Sequence, residues 1–455
     1  MSNPSVVLRS SWLDKATQAQ DVYVSPWARK LFLIFAVYLV IPIYDVPLAG
    51  LSLSAPILFF IATELYLKPQ PVLWRRYLGW MAIVYLFWVG LLVSLAGNAV
   101  QGSAIPFSSA DAITLIRFAY WVLAFLITMI IVANGGFHRQ LTMLLGIAVL
   151  TLTGLRLYEA VAWDKWGAWT SPRLLSQNSY GIQFSTFSPY ALWLALSLKG
   201  SRRWVAGAGV LLMWLTIAGN GSRSSWFAGS VTSAVFLLLY ALSQRRRQVW
   251  TLALFVSMFV ILLSIMPTSA IEPISERFAT LQKTEEDKSF AIRLLMNQKG
   301  ERLFQQNPLF GAGAGRFTRA SVPLDIPKIL RYAPQSHFDV KSPHNSYIKL
   351  LGETGLVGTV PFAVLLMILA VGGLRATARL AQAGETWPIP IYAGFIGLSI
   401  HFWTLSGLTG TAPWFAYGLV AAVIEYARRK HTIAPEPRRE GSELPRTSLP
   451  RALNQ

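Results

Sequence analysis

"ADAITLIRFAYWVLAFLITMIIVA", residues 110–133, runs for 24 residues with Asp111 and Arg117 as its only charges. A helix that crosses a bilayer needs roughly 20 apolar residues. The stretch lacks the in–out alternation of a barrel strand. A backbone in lipid must satisfy its own hydrogen bonds, which leaves the helix. Similar runs recur near 27–45, 47–67, 78–97, 139–158, 179–198, 203–220, 224–243, 249–267, 354–373, 388–408 and 411–427, giving twelve expected spans. The 455 residues are 54% hydrophobic and 13% charged, with a mean hydropathy of +0.45. A soluble chain carries about 25% charged residues. The reading is therefore an all-α polytopic membrane protein with about 12 transmembrane helices.

Lysine and arginine placement sets the orientation. With the amino end inside, the inside segments are basic: Arg29-Lys30, Lys68 with Arg75-Arg76, Arg139, Lys199 with Arg202-Arg203, Arg245 to Arg247, Arg375 with Arg379, and the tail from Arg428. The short outside loops 98–109 and 409–411 carry none. This pattern accounts for much of the +19 net charge, so nucleic acid is not an expected partner. The 17 tryptophans and 16 tyrosines suit interfacial belts. With no cysteine, disulfides and thiolate chemistry are unavailable. Residues 1–26 read as a cytoplasmic amino-terminal tail without a signal-peptide core, so the first span is expected to act as its own insertion signal. Residues 27–267 hold the first nine spans, 268–345 a large outside loop, 346–427 the last three spans, and 428–455 a Pro-rich, basic, disordered cytoplasmic tail near anionic lipid.

The loop holds eleven of the forty basic residues. In "KSFAIRLLMNQKGERLFQQNP", Phe290, Leu294, Leu295 and Leu303 fall at helical intervals, with Asn307-Pro308 as a stop signal. An amphipathic helix lying over the membrane face is expected, followed by a flexible glycine turn. "GAGAG" at 311–315 does not match a phosphate loop, because its spacing is wrong and no Lys-Ser/Thr follows.

On this topology one face gathers polar groups. His344 and Asn345 end the loop, Arg223 lies in "GNGSRSSW", Arg173 in "SPRLLSQNS", Arg293 and Arg302 on the loop helix, and Arg117 and Arg156 in outer parts of spans. Arginine in hydrocarbon costs at least about 2.5–3.5 kcal/mol, so such residues face a cavity or snorkel. Snorkelling is the reading for Arg156. Arg293 and Arg302 would otherwise form the wet face of their helix, and Arg223 an interfacial anchor. Arginine's planar fork also matches phosphate oxygens. Several arginines with one histidine suit an anionic, lipid-linked substrate and a proton acceptor. His337 is a competing loop histidine, whereas His138 and His401 read as structural. No Asp-x-Asp pair or His-Glu-x-x-His is present, so no metal site and no cofactor are expected.

"NPLFGAGAGRF" followed by "PHNSYIKLLGETGLVG", with "GSRSSW" upstream, resembles the signature of the O-antigen ligase and polymerase superfamily over about 170–365. The resemblance implies a GT-C-type glycosyltransferase, metal-independent and inverting, working at the periplasmic face of the bacterial inner membrane. The donor it implies is O-antigen on undecaprenyl diphosphate, and the acceptor lipid A–core. His344 matches the family's essential histidine, Arg223 its turn arginine, and Arg173 an arginine before the middle span, although "RLLSQNS" departs from the usual pattern. His344 would act as general base, with Arg223, Arg173 and Arg293 on the diphosphate and Asn345, Glu353, Arg302 and Arg117 in support. An O-antigen polymerase or a protein O-oligosaccharyltransferase shares these motifs. A lipid-linked glycan flippase or transporter would instead place ionisable residues at the midplane of two matching halves.

Overall fold

Among the described residues every regular element is helical, as a chain that satisfies its own backbone in lipid requires. The structure is a computed structural model that describes residues 23–41, 54–67, 71–100, 105–162, 177–219, 222–243 and 288–433. The expected span at 249–267, most of both tails, the loop's first twenty residues and Arg173 lie outside these residues. The helices are α1 Pro26–Val40, α2 Ser54–Leu67, α3 Pro71–Val100, α4 Ser109–Gly135, α5 His138–Ala162, α6 Gln177–Ser197, α7 Ser201–Gly219, α8 Arg223–Ser243, α9 Lys288–Gln306, α10 Gln335–Asp339, α11 Ser346–Gln382, α12 Pro388–His401 and α13 Thr411–Ile433.

Five of them (from Arg76 in α3, α4, α5 to Glu159, α8 and α11) are long and apolar enough to cross a membrane, and α2 and α12 are shorter apolar helices. The expected spans at 27–45, 179–198, 203–220 and 411–427 overlap α1, α6, α7 and α13, which do not meet that standard. Physical reasons are visible in two of them. Helix α6 carries buried Gln183, Ser185, Thr186 and Ser188, and α13 ends in Glu425, Arg428, Arg429 and Lys430.

The core sits where α3, α4, α11 and α13 meet. Phe87 packs against Phe118, Phe362 and Trp414, with ring centroids 5.8, 5.5 and 5.6 Å away. Small residues let these helices approach closely, as membrane bundles favour. A Cβ on Gly418 would lie 2.7 Å from the Phe125 carbonyl oxygen, and one on Gly90 would lie 2.3 Å from that of Val357.

At one end of the bundle, residues 288–345 build a second, smaller core from Leu295, Met296, Leu303, Phe317, Val322, Leu330 and Phe338. Helix α9 ends at Gln306, just before Asn307-Pro308, as its sequence signals. Its buried stripe is Ala291, Leu295, Lys299 and Leu303, whereas Phe290 and Leu294 are 38% and 53% exposed. The stripe is rotated from the expected one because α9 crosses α11 glycine against glycine. A Cβ on Gly300 would meet Ile348 Cγ2 at 2.4 Å, and one on Gly352 would meet the Gly300 oxygen at 2.8 Å.

Candidate active site

The two motifs of the signature are one structural unit. Helix α11 begins at Ser346, not at 354, and breaks at Gly355, whose φ of 55° and ψ of −149° are not helical. A break strands backbone groups that must find partners elsewhere. The loop supplies them: Ala312 N donates to Gly352 O (2.9 Å), Gly313 N to Glu353 O (2.7 Å), Leu356 N to Pro308 O (2.9 Å) and Val357 N to Leu309 O (3.2 Å). Gly311, Gly313 and Gly315 all have positive φ, the left-handed region that favours glycine. The expected flexible turn is thus a fixed one. Helix α3 fastens it further, with Ser94 Oγ donating to Phe310 O (2.7 Å) and Asn98 Nδ2 to Gly311 O (2.9 Å).

His344 stands half-buried two residues before this helix. Asn345 caps α11, its side-chain oxygen accepting from Tyr347 N (3.0 Å) and Ile348 N (3.1 Å). Ser346 N donates to Phe402 O (2.9 Å), Ser346 Oγ to Leu405 O (2.8 Å), Gly407 N to Ser346 Oγ (2.9 Å) and Ser406 Oγ to Pro343 O. The loop is therefore held by residues on both sides of His344, while its imidazole Nδ1 is buried with no hydrogen-bond partner among the described residues. Burial lowers the His344 pKa, and the Arg293 charge lowers it further. The ring is neutral at neutral pH, the form a base needs. A cleft of about 20 Å³, the space of a single water, opens at the first turns of α11 between Phe118, Ser346, Lys349, Glu353 and Ser406.

The Arg293 charge reaches both His344 and His401. Arg223 is half-buried as the first residue of α8, and it follows Ser222, whose hydroxyl meets that of Ser224 at 2.9 Å. The other arginines read as candidates have other surroundings. Arg302 is bound to Pro323 O and Asp325. Arg117 is exposed on α4. Arg156 does not snorkel; it is buried, donates to Glu159 Oε2 at 2.9 Å and lies 4.9 Å from the Tyr180 ring. Glu353 accepts from Phe317 N (3.1 Å) and lies 4.0 Å from Lys349 Nζ, so it fastens the break. His337 is exposed on α10 against Tyr332 and Phe338.

Sequence reasoning passed over Arg316 and Asp111, which are 1% and 0% exposed. The Arg316 fork spans the carboxylate, Nε to Oδ1 at 3.3 Å and Nη2 to Oδ2 at 3.1 Å, and Arg319 joins the same group. This pins the glycine turn to the start of α4. Removing one partner of a buried pair costs about 3–5 kcal/mol, because the other charge stays buried. Arg319 shares the load, so Arg316→Ala is expected at the lower end, about 3 kcal/mol by denaturant unfolding.

Residues 208–363, which contain Arg223, Arg293, Arg316 and His344, match the family model Wzy_C, described as O-antigen ligase. That stretch, about a third of the chain, is thus similar to the O-antigen ligase family, consistent with the superfamily its motifs resemble. No curated protein matches the chain.

Proposed function

We propose that this protein is an O-antigen ligase, a GT-C-type glycosyltransferase of the bacterial inner membrane. It transfers O-antigen polysaccharide from undecaprenyl diphosphate to a sugar hydroxyl of lipid A–core at the periplasmic face. The family domain supports an enzyme of O-antigen processing in a membrane setting. The observation that carries the finer reading is His344: a neutral imidazole, rigidly seated and unspent on any structural hydrogen bond, beside Arg293.

A sugar hydroxyl is a weak nucleophile. His344 takes its proton as the oxygen attacks the anomeric carbon, and the bond to the diphosphate oxygen breaks on the opposite face. A single displacement of this kind inverts the anomeric centre. The leaving diphosphate gains charge, which Arg223 and Arg293 would meet, joined by Arg173, a residue outside the described ones that enters on the sequence motif alone. Preplaced cations do this without reorganising, and more strongly at the low-dielectric lip of a membrane. Both substrates are lipids, so a base at the border of an apolar helix sits at the depth where their head groups meet.

Arg293 has a readout of its own. Its charge helps hold the His344 pKa below the usual histidine value, so the acid limb of kcat lies below about pH 6.5. Replacing Arg293 by glutamine removes that repulsion, raises the His344 pKa and moves the acid limb to higher pH. A limb that stays in place or moves down contradicts the assignment.

Acceptor identity tests the ligase reading. Purified protein is incubated with the lipid-linked O-antigen donor alone, and with donor plus lipid A–core. A ligase forms glycosylated lipid A–core and leaves the donor's chain length unchanged. Lengthening of the donor, with lipid A–core untouched, identifies a polymerase instead.

A further inference from the structure

We propose that His401 is a positioning residue of the transfer site, holding the turn that bears Arg223 in place against the loop that bears His344. The sequence reading made this histidine structural. The inference rests on the proposed transfer reading for its role, and on geometry for its existence.

His401 ends α12 and is 0% exposed. A buried imidazole in an apolar setting needs partners for both nitrogens. Its Nδ1 lies 3.3 Å from Ser185 Oγ on α6. The Ser185 hydroxyl donates to Ile182 O at 3.1 Å, which leaves its oxygen to accept from Nδ1–H. That assignment puts the imidazole lone pair on Nε2. Nε2 is buried and has no partner among the described residues, and the same holds for Ser225 Oγ.

The two groups belong together. A Cβ on Gly181 would lie 2.0 Å from Ser225 Oγ and 3.2 Å from His401 Cε1, so the serine and the imidazole converge on the space that glycine leaves open. The Ser225 hydroxyl can give Nε2 its donor through one bridging water. Ser225 is two residues after Arg223, in the first turn of α8. A second close approach backs this one: a Cβ on Gly397, one turn earlier in α12, would lie 1.6 Å from Thr232 Oγ1 of α8.

The chain that leaves His401 then performs the other half of the task. Phe402 O, Leu405 O, Ser406 Oγ and Gly407 N make the contacts that hold Pro343 and Ser346. One segment, 401–407, therefore meets the arginine turn at its start and the histidine loop along its length. A ring that only fills space has no need of a nitrogen there, and this is what separates the two roles.

The test compares wild type, His401→Phe and His401→Gln by hydrogen–deuterium exchange of the purified full chain, beside transfer kinetics. Phenylalanine keeps the volume and deletes both nitrogens, while glutamine keeps a polar atom at the Nε2 end. His401→Phe is expected to raise amide exchange about tenfold in 222–226 and 343–346, with glutamine within about twofold of wild type. In the transfer assay the phenylalanine variant is expected to lose about tenfold or more in kcat at unchanged donor KM, with partial rescue by glutamine. Should phenylalanine not fold, Ser225→Ala removes the other end of the proposed bridge and is expected to raise exchange in 222–226. Exchange in the phenylalanine variant equal to wild type, equal exchange in both variants, or an unchanged Ser225→Ala overturns the inference. Raised exchange supports it even if the wild type transfers nothing, a result that counts against the ligase reading alone.

Discussion

His344→Ala lowers kcat of glycan transfer by about 10²–10⁴-fold, the usual contribution of a positioned general base, and leaves thermal unfolding within about 2 °C of wild type. The two halves of this expectation have separate causes. The catalytic loss follows from removing the proton acceptor. The unchanged stability follows from how the loop is built. Its anchors are the Pro343 carbonyl, the Asn345 cap and the Ser346 hydroxyl, all of which the variant keeps. Because Nδ1 has no partner among the described residues, truncation there breaks no hydrogen bond at that nitrogen. Parallel losses of activity and melting temperature would make His344 a packing residue. Measuring kcat and unfolding on the same preparation separates the cases.

Gly311→Ala is expected to destabilise the protein by about 3 kcal/mol or more, from a left-handed backbone cost of about 1–2 kcal/mol and hydrogen bonds worth about 1 each. Gly311 has φ +63°, and a Cβ there would lie 2.6 Å from both Gly352 O and the Glu353 carbonyl carbon. Backbone atoms cannot swing aside as a flexible side chain can. The turn must retreat, and the bonds from Ala312 N and Gly313 N to the broken helix are lost with it. Gly384 provides the control, since it has φ +86° and nothing within 4 Å of its Cβ position. Gly384→Ala therefore costs only the backbone part, about 1 kcal/mol. A denaturant-unfolding comparison in which the two variants lose equal stability would show that the turn does not clasp α11.

The twelve-span reading rested on local apolar runs, and five of those runs form helices fit to cross a membrane. What local patterns hold was legible: the stop at Asn307-Pro308, and the placement of His344 at the threshold of a helix. What remained hidden depends on residues far apart in the chain. Arg316 meets Asp111 across 205 positions, and nothing near Arg316 in sequence points to that partner. The glycine turn looked flexible because its hydrogen-bond acceptors, Gly352 and Glu353, lie some forty residues on. Arg156 is a different lesson. Its partner Glu159 is three residues away, an ordinary helical pair spacing that outweighs snorkelling once both ends are buried. The rotated face of α9 came from a glycine contact with α11 that periodicity alone does not reveal.

The measurement that bears most directly on the account is transfer by the purified protein in EDTA, with the lipid-linked O-antigen donor and lipid A–core, comparing wild type with His344→Ala and Arg223→Ala. The account predicts that wild type glycosylates lipid A–core undiminished by the chelator and that both variants lose transfer. Wild-type transfer that stops in EDTA, or a His344→Ala protein that works at the full rate, would contradict it.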